Sequence, residues 1–263
     1  MHRNTIRRIA LGVGMAAGMT ALGACSEDQG TVPVSPPEVP TVISASGDIA
    51  AKVDEFRALI GAPSNGGTAG EQPAGRREIN WDGAGANPFN NQNDFPASFF
   101  NTNVKSGAVF TTPGTGFRND DQEFAGVNAA YPDQFGAFSP AKIFSPIGSN
   151  VLDVHFQVAG QPSPARVTGF GAVFSDVDVA GSTTIEFFDA SGVSLGFVAA
   201  PIRSDLGGQS FVGARFAEPV VARVRLTFGN GALGATVNDV TAGGTADLVV
   251  SDNWIYGEPR RIQ

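Results

Sequence analysis

Strict alternation of apolar and polar residues is the feature that most restricts what this chain can fold into. In "NVLDVHFQVAG", Leu152, Val154, Phe156 and Val158 fall on one side and Asp153, His155 and Gln157 on the other. "VVARVRLTFGN" repeats the pattern, with Val220, Ala222, Val224, Leu226 and Phe228 assigned inward and Arg223 and Arg225 outward. A period of two is that of a strand with one buried face. "TTIEFFDASGVSLGFVAA" reads as strand, turn, strand. "GAVFTTP", "AKIFSPIG", "ARVTGFGAVFSDVD", "QSFVGARF" and "ADLVVSDNWIYG" add further strands, to about nine in all. Past residue 77 no helical run is long enough to serve as a βαβ crossover. The expected class is therefore all-β, a jelly-roll β-sandwich.

One helix is expected ahead of the strands. In "SGDIAAKVDEFRALIGAP", Ile49, Val53, Phe56 and Ile60 recur at helical spacing. Ser46 or Asp48 is the expected cap, and Gly61 the expected stop. The stripe is expected to dock on the chain's own β-domain. Residues 26–45 carry Pro33, Pro36, Pro37 and Pro40, a composition that favours an extended tether. Residues 61–75 are rich in Gly, Ala and Pro and read as a linker.

The N-terminus has a different character. Arg3, Arg7 and Arg8 precede an uncharged, mostly apolar run from Ile9 to Leu22. That run falls short of the roughly 20 residues a membrane-spanning helix needs. A basic front and a small-residue rear fit an export signal. Cys25 is the sole cysteine of the 263 residues, so no internal disulfide can form. Leu22-Gly23-Ala24-Cys25 resembles the lipobox of bacterial lipoproteins. The resemblance implies cleavage before Cys25, acylation of its sulfur, and attachment to the membrane. Each buried CH₂ contributes about 0.8 kcal/mol, and two chains anchor where one barely holds. Ser26, in place of Asp, leans towards the outer membrane. The expected localisation is the cell envelope.

The resulting organisation is a signal peptide (1–24), a lipidated cysteine with a proline-rich tether (25–45), an amphipathic helix (46–61), a linker (62–76), a β-sandwich domain (77–258) and a tail (259–263).

Composition removes several chemistries. The formal charge is −8, with 25 acidic and 17 basic residues, and loss of the signal makes it three units more negative. Such a surface disfavours nucleic acid. Beyond the signal there is one histidine, His155, mid-strand, and the chain has no H-E-x-x-H or C-x-x-C motif. No phosphate-binding loop is present. A glycan hydrolase needs only two suitably placed carboxylates. Glu186 and Asp189 are candidates, but an outward carboxylate on an alternating strand is ordinarily solvated. The expectation is a non-catalytic protein.

Three acidic groups invite a cation. They are Asp120, Asp121 and Glu123; Asp176 and Asp178; and Asp252 with Asn253. Calcium takes six to eight oxygens. An Asp-x-Asp pair at a strand end points both carboxylates to one face. Structural calcium held by Asp176, Asp178, Asp252 and Asn253 is the expected cofactor, with turn capping as the competing role.

"GFGAVFSDVD", "TIEFFDASGVSLG", "SFVGARFAEPVVARVRLTFGN" and "VVSDNWIYGE" resemble successive strands of jelly-roll modules in PEP-CTERM-type exported bacterial surface proteins. The resemblance spans residues 145–258. Such modules are similar to galactose-binding-like and carbohydrate-binding jelly rolls, many of which hold calcium. It implies a non-catalytic ligand-binding module, with a glycan the foremost ligand. The alternatives are a structural envelope protein making protein contacts and, behind it, a glycan hydrolase. Trp81, Tyr131 and Trp254 are the aromatic residues to test first for contact with a sugar, with core packing the competing role and the favoured one for Trp254, because Ile255 and Tyr256 complete a terminal strand.

Overall fold

The computed structural model describes residues 39–84 and 88–263. The signal run and Cys25 lie outside them. Fourteen strands occur in the order β1 (Thr41–Ser46), β2 (Arg76–Ile79), β3 (Ala108–Thr111), β4 (Gly116–Asp120), β5 (Ile143–Ile147), β6 (Val151–Phe156), β7 (Ala165–Arg166), β8 (Gly169–Ser175), β9 (Thr184–Phe188), β10 (Ser194–Ala199), β11 (Gln209–Arg215), β12 (Arg223–Thr227), β13 (Val250–Gly257) and β14 (Arg260–Arg261). Helix α1 (Ala50–Ile60) lies between β1 and β2, and the short α2 (Phe99–Thr102) precedes β3.

The strands form an antiparallel sandwich. One sheet has the order β1-β11-β8-β13-β5-β4, with β2 also on β13; the other is β10-β9-β12-β6-β3. The small β7–β14 ribbon stands apart. The all-β sandwich read from alternation is correct. Leu152, Val154, Phe156, Val224, Leu226 and Phe228 all face the core. Ahead of β12 the expected series fails: Val220 and Ala222 are only partly buried, and Val221, paired to Val167, is buried instead.

Four expected boundaries move. Thr41–Ser46, which spans the end of the expected tether and the first residue of the expected helix segment, is an edge strand paired along its length with β11. Residues 61–75 are not a free linker: their carbonyls at Gly66, Thr68 and Gly70 receive the guanidinium of Arg77. β4, which ends in Asp120 of the first acidic group, is not among the expected strands. There, buried Asp120 accepts from Arg118 and from the Gln122 and Phe124 N–H groups. The tail supplies β14.

Helix α1 docks as expected. Val53, Phe56 and Ile60 pack with Ile49 onto Ile43, Val173, Phe211 and Ile255 of the large sheet's outer face. Neither Ser46 nor Asp48 caps it; Ile49 occupies the N-cap without a side-chain bond. Burial of the stripe, not capping, holds this helix. Gly61 ends it, its N–H reaching Arg57 O.

Between the sheets lies an aromatic core. Trp81 stacks on Phe144 at 3.9 Å between ring centroids and meets Trp254 edge-on at 4.9 Å. On β13 a bulge falls between Ser251 and Trp254. An extra residue in one strand re-aims the side chains beyond it. Trp254 and Tyr256 thus enter the inter-sheet core, while Ile255 points to α1.

Candidate metal centre and binding face

β8 ends in Ser175, and the chain turns at once. Asp176 has φ +69, a left-handed conformation that Asp tolerates better than most residues. The turn aims Asp176 and Asp178 at Asp239, from the long segment between β12 and β13. The three offer one carboxylate oxygen each within 4.8 Å of one another. Asp176 is fully buried; Gln134 Nε2 donates to its Oδ2, and its Oδ1 has no hydrogen-bond partner. Both oxygens of Asp178 are shielded from water and lack a donor. Asp239 is better satisfied: Leu248 N–H donates to Oδ2 at 2.8 Å, and Thr241 donates to Oδ1 through its N–H and its hydroxyl.

These surroundings set the charge states. Burial pushes Asp176 up to about 7 and Asp178 up to about 8, with Asp239 and Asp247 adding repulsion. Burial acts on Asp239 too, but hydrogen bonds, first that from Leu248, outweigh it and hold Asp239 below the usual carboxylate range. Asp247 braces the turn: its carboxylate accepts from the N–H groups of Asp178 and Val179 and from the Ser182 hydroxyl. An all-oxygen set with orphaned buried lone pairs can hold a hard divalent cation.

Two of the four residues of the expected metal set come together. Asp176 and Asp178 converge, but with Asp239, not with Asp252 and Asn253. The bulge on β13 turns those two elsewhere. Asp252 Oδ2 accepts from the N–H groups of Phe138 and Ser139 at 2.6 and 2.8 Å, and Ser139 Oγ lies 2.8 Å from both Asn253 Oδ1 and Asp82 Oδ2. Burial pushes Asp252 up to about 7. Asp239 was missed because it sits in a Gly-rich stretch with no periodicity, 61 residues beyond Asp178.

The expected aromatic contacts are corrected outright. Trp81, Tyr131 and Trp254 have relative exposures of 0, 1 and 0 %. Trp81 Nε1 donates to Asp252 O, Trp254 Nε1 to Ser251 Oγ, and the Tyr131 hydroxyl to carbonyls of Gly234 and Val237. Large rings are worth most in a core, and each polar handle finds an internal partner there.

What stays open to solvent is the outer face of the five-stranded sheet. Register sets Val109, His155, Arg223 and Phe188 side by side across β3, β6, β12 and β9. The Arg223 guanidinium lies 3.6 Å over the Phe188 ring and 3.0 Å from Asp153. His155 Nε2 is 3.1 Å from the Thr111 hydroxyl. Burial, then Arg223, hold the imidazole below the ordinary histidine value against the pull of Asp153. Val109, Thr111, His155 and Arg223 line an open hollow of about 470 Å³. It shares Val109 and Gln157 with a second hollow of about 430 Å³, and Pro164, Ala190 and Ile262 with a third of about 450 Å³. Through these shared residues the hollows adjoin one another in one continuous depression. Glu186 Oε1 accepts from Ser194 Oγ. Asp189 Oδ1 accepts the Ser191 and Val193 N–H groups, closing the β9–β10 turn.

No protein-family model matches the chain, and neither does any curated protein. Among solved structures it is similar to the enzymatically active domain of bacteriophage CBA120 tailspike protein 4. The identity is 12 % and the TM-score 0.29, over 62 % of this chain and 20 % of that one.

Proposed function

We propose that this protein is a calcium-stabilised, non-catalytic β-sandwich that binds glycan chains and is held at the cell envelope by a lipid on Cys25. The observation that carries the binding role is the continuous depression that starts on the outer face of the five-stranded sheet. Its floor offers neutral and cationic hydrogen-bonding groups beside apolar surface, the lining a sugar chain requires. Calcium is the fitting ion for Asp176, Asp178 and Asp239 because it accepts irregular, oxygen-only surroundings. A role without catalysis fits the carboxylates nearest the depression: Asp189 and Glu186 are committed to turn and cross-strand bonds. The test is binding of a glycan panel to the full chain, with Thr111→Val/His155→Ala as the variant. Selective retention that falls at least tenfold in the variant supports the reading. Equal retention by both proteins, or none, refutes it.

A further inference from the structure

At its far end the depression changes character. The third hollow is lined by Arg261, which also lines a fourth, of about 320 Å³, together with Arg166, Arg260 and Glu71. The cations come from the β7–β14 ribbon. Its register sets Arg260 directly opposite Arg166. Like charges facing each other across strands are destabilising without a counter-charge. Glu71 answers only part of this demand. It accepts from Arg260 Nη1 at 3.2 Å and from the Arg261 N–H at 2.9 Å. Among the described residues Arg166 has no ion-pair partner, and its Nε is shielded from water without an acceptor. Including Lys105 and Arg223, five cationic side chains line the connected hollows, against the carboxylates of Glu71 and Asp189. This is the reverse of the chain's overall balance.

Resting on the glycan-binding reading above, we infer that the ligand is a carboxylate-bearing polysaccharide whose acidic groups are received by Arg166 and Arg261. The planar guanidinium matches a carboxylate through two parallel N–H bonds. The facing charges of Arg166 and Arg260, only partly answered by Glu71, supply the demand for an anion. Continuity with the neutral stretch around Thr111 and His155 supplies room for the rest of an extended chain.

The experiment compares hyaluronan, dextran and inorganic polyphosphate on the full chain, in its native form and as Arg166→Gln/Arg261→Gln, with melting temperatures checking the fold. Hyaluronan is expected to bind at least tenfold more tightly than dextran, to lose at least tenfold in the variant, and to weaken with salt. An Arg166→Lys variant, which keeps the charge but not the fork, is expected to recover only part of the loss. Dextran binding as tightly as hyaluronan would overturn the assignment and leave the glycan reading standing. Absence of binding to either glycan would overturn both. Polyphosphate competing as well as hyaluronan would show a general anion sink and would also overturn the assignment.

Discussion

Arg77 and Glu258, 181 residues apart, form a two-point ion pair sealed from solvent. Nε and Nη2 each donate to one carboxylate oxygen at 2.7 Å. The remaining donors of Arg77 reach the carbonyls of Gly66, Thr68, Gly70 and Lys105, while Glu258 also accepts from Asn65 Nδ2 and Gln72 N–H. This pair is what converts a Gly- and Pro-rich stretch into a fixed loop. Removing one partner strands a buried charge, so Glu258→Gln and Arg77→Met are each expected to cost about 3–5 kcal/mol. Joint replacement by apolar residues is expected to cost clearly less than the two single costs added. Urea unfolding checks this.

Phe56 leans on Gly213. A β-carbon at Gly213 would stand 2.7 Å from the Phe56 ring, and one on its cross-strand neighbour Gly171 would meet the same ring at 2.7 Å. Gly213→Ala is expected to lift α1 and cost about 1–3 kcal/mol, the usual range for overpacking. Phe56→Leu in the same chain is expected to recover part of that loss.

Calcium is expected to raise the melting temperature. At a hundredfold excess over its dissociation constant, a ligand confined to the native state adds about 2.7 kcal/mol. For a chain of this size that is about 5–10 °C. Asp239→Asn and Asp176→Asn are expected to abolish the response. An equal rise in these variants would place the ion elsewhere.

Asp252 predicts a pH dependence that survives calcium saturation. Its folded value, raised to about 7 by burial, lies above that of the unfolded chain. Its contribution is therefore full below the unfolded value and is lost as pH rises through about 7. The calcium-loaded protein should melt several degrees lower at about pH 8.5 than at about pH 5. In Asp252→Asn, which retains an oxygen for the Phe138 and Ser139 N–H groups, that slope should flatten.

Cys25 makes a separate prediction. Cys25→Ser should abolish incorporation of labelled palmitate and move the protein from the membrane fraction to the soluble one. Unchanged partitioning would refute lipid anchoring.

Local pattern in the sequence was enough for the class, most strands and the docking stripe of α1, because alternation and helical spacing are properties of neighbouring residues. The Asp176–Asp178 pair was legible for the same reason. Asp239 was not: what brings it to that pair is the path of a long aperiodic segment across the sandwich end. Nor could spacing tell that the β13 bulge would send Asp252 away from the cluster. Trp81 and Tyr131 are core rings that chemical type alone does not reveal, because it does not say whether a ring is buried; for Trp254 the terminal strand with Ile255 and Tyr256 already pointed to the core. The basic end of the depression was invisible for a related reason. Arg166 and Arg260 are 94 residues apart and meet only because β14 returns to β7. Sequence alone determined which segments alternate and which residue types were available; tertiary structure decided which side chains meet, because contacts between distant segments are set by register, bulges and core packing.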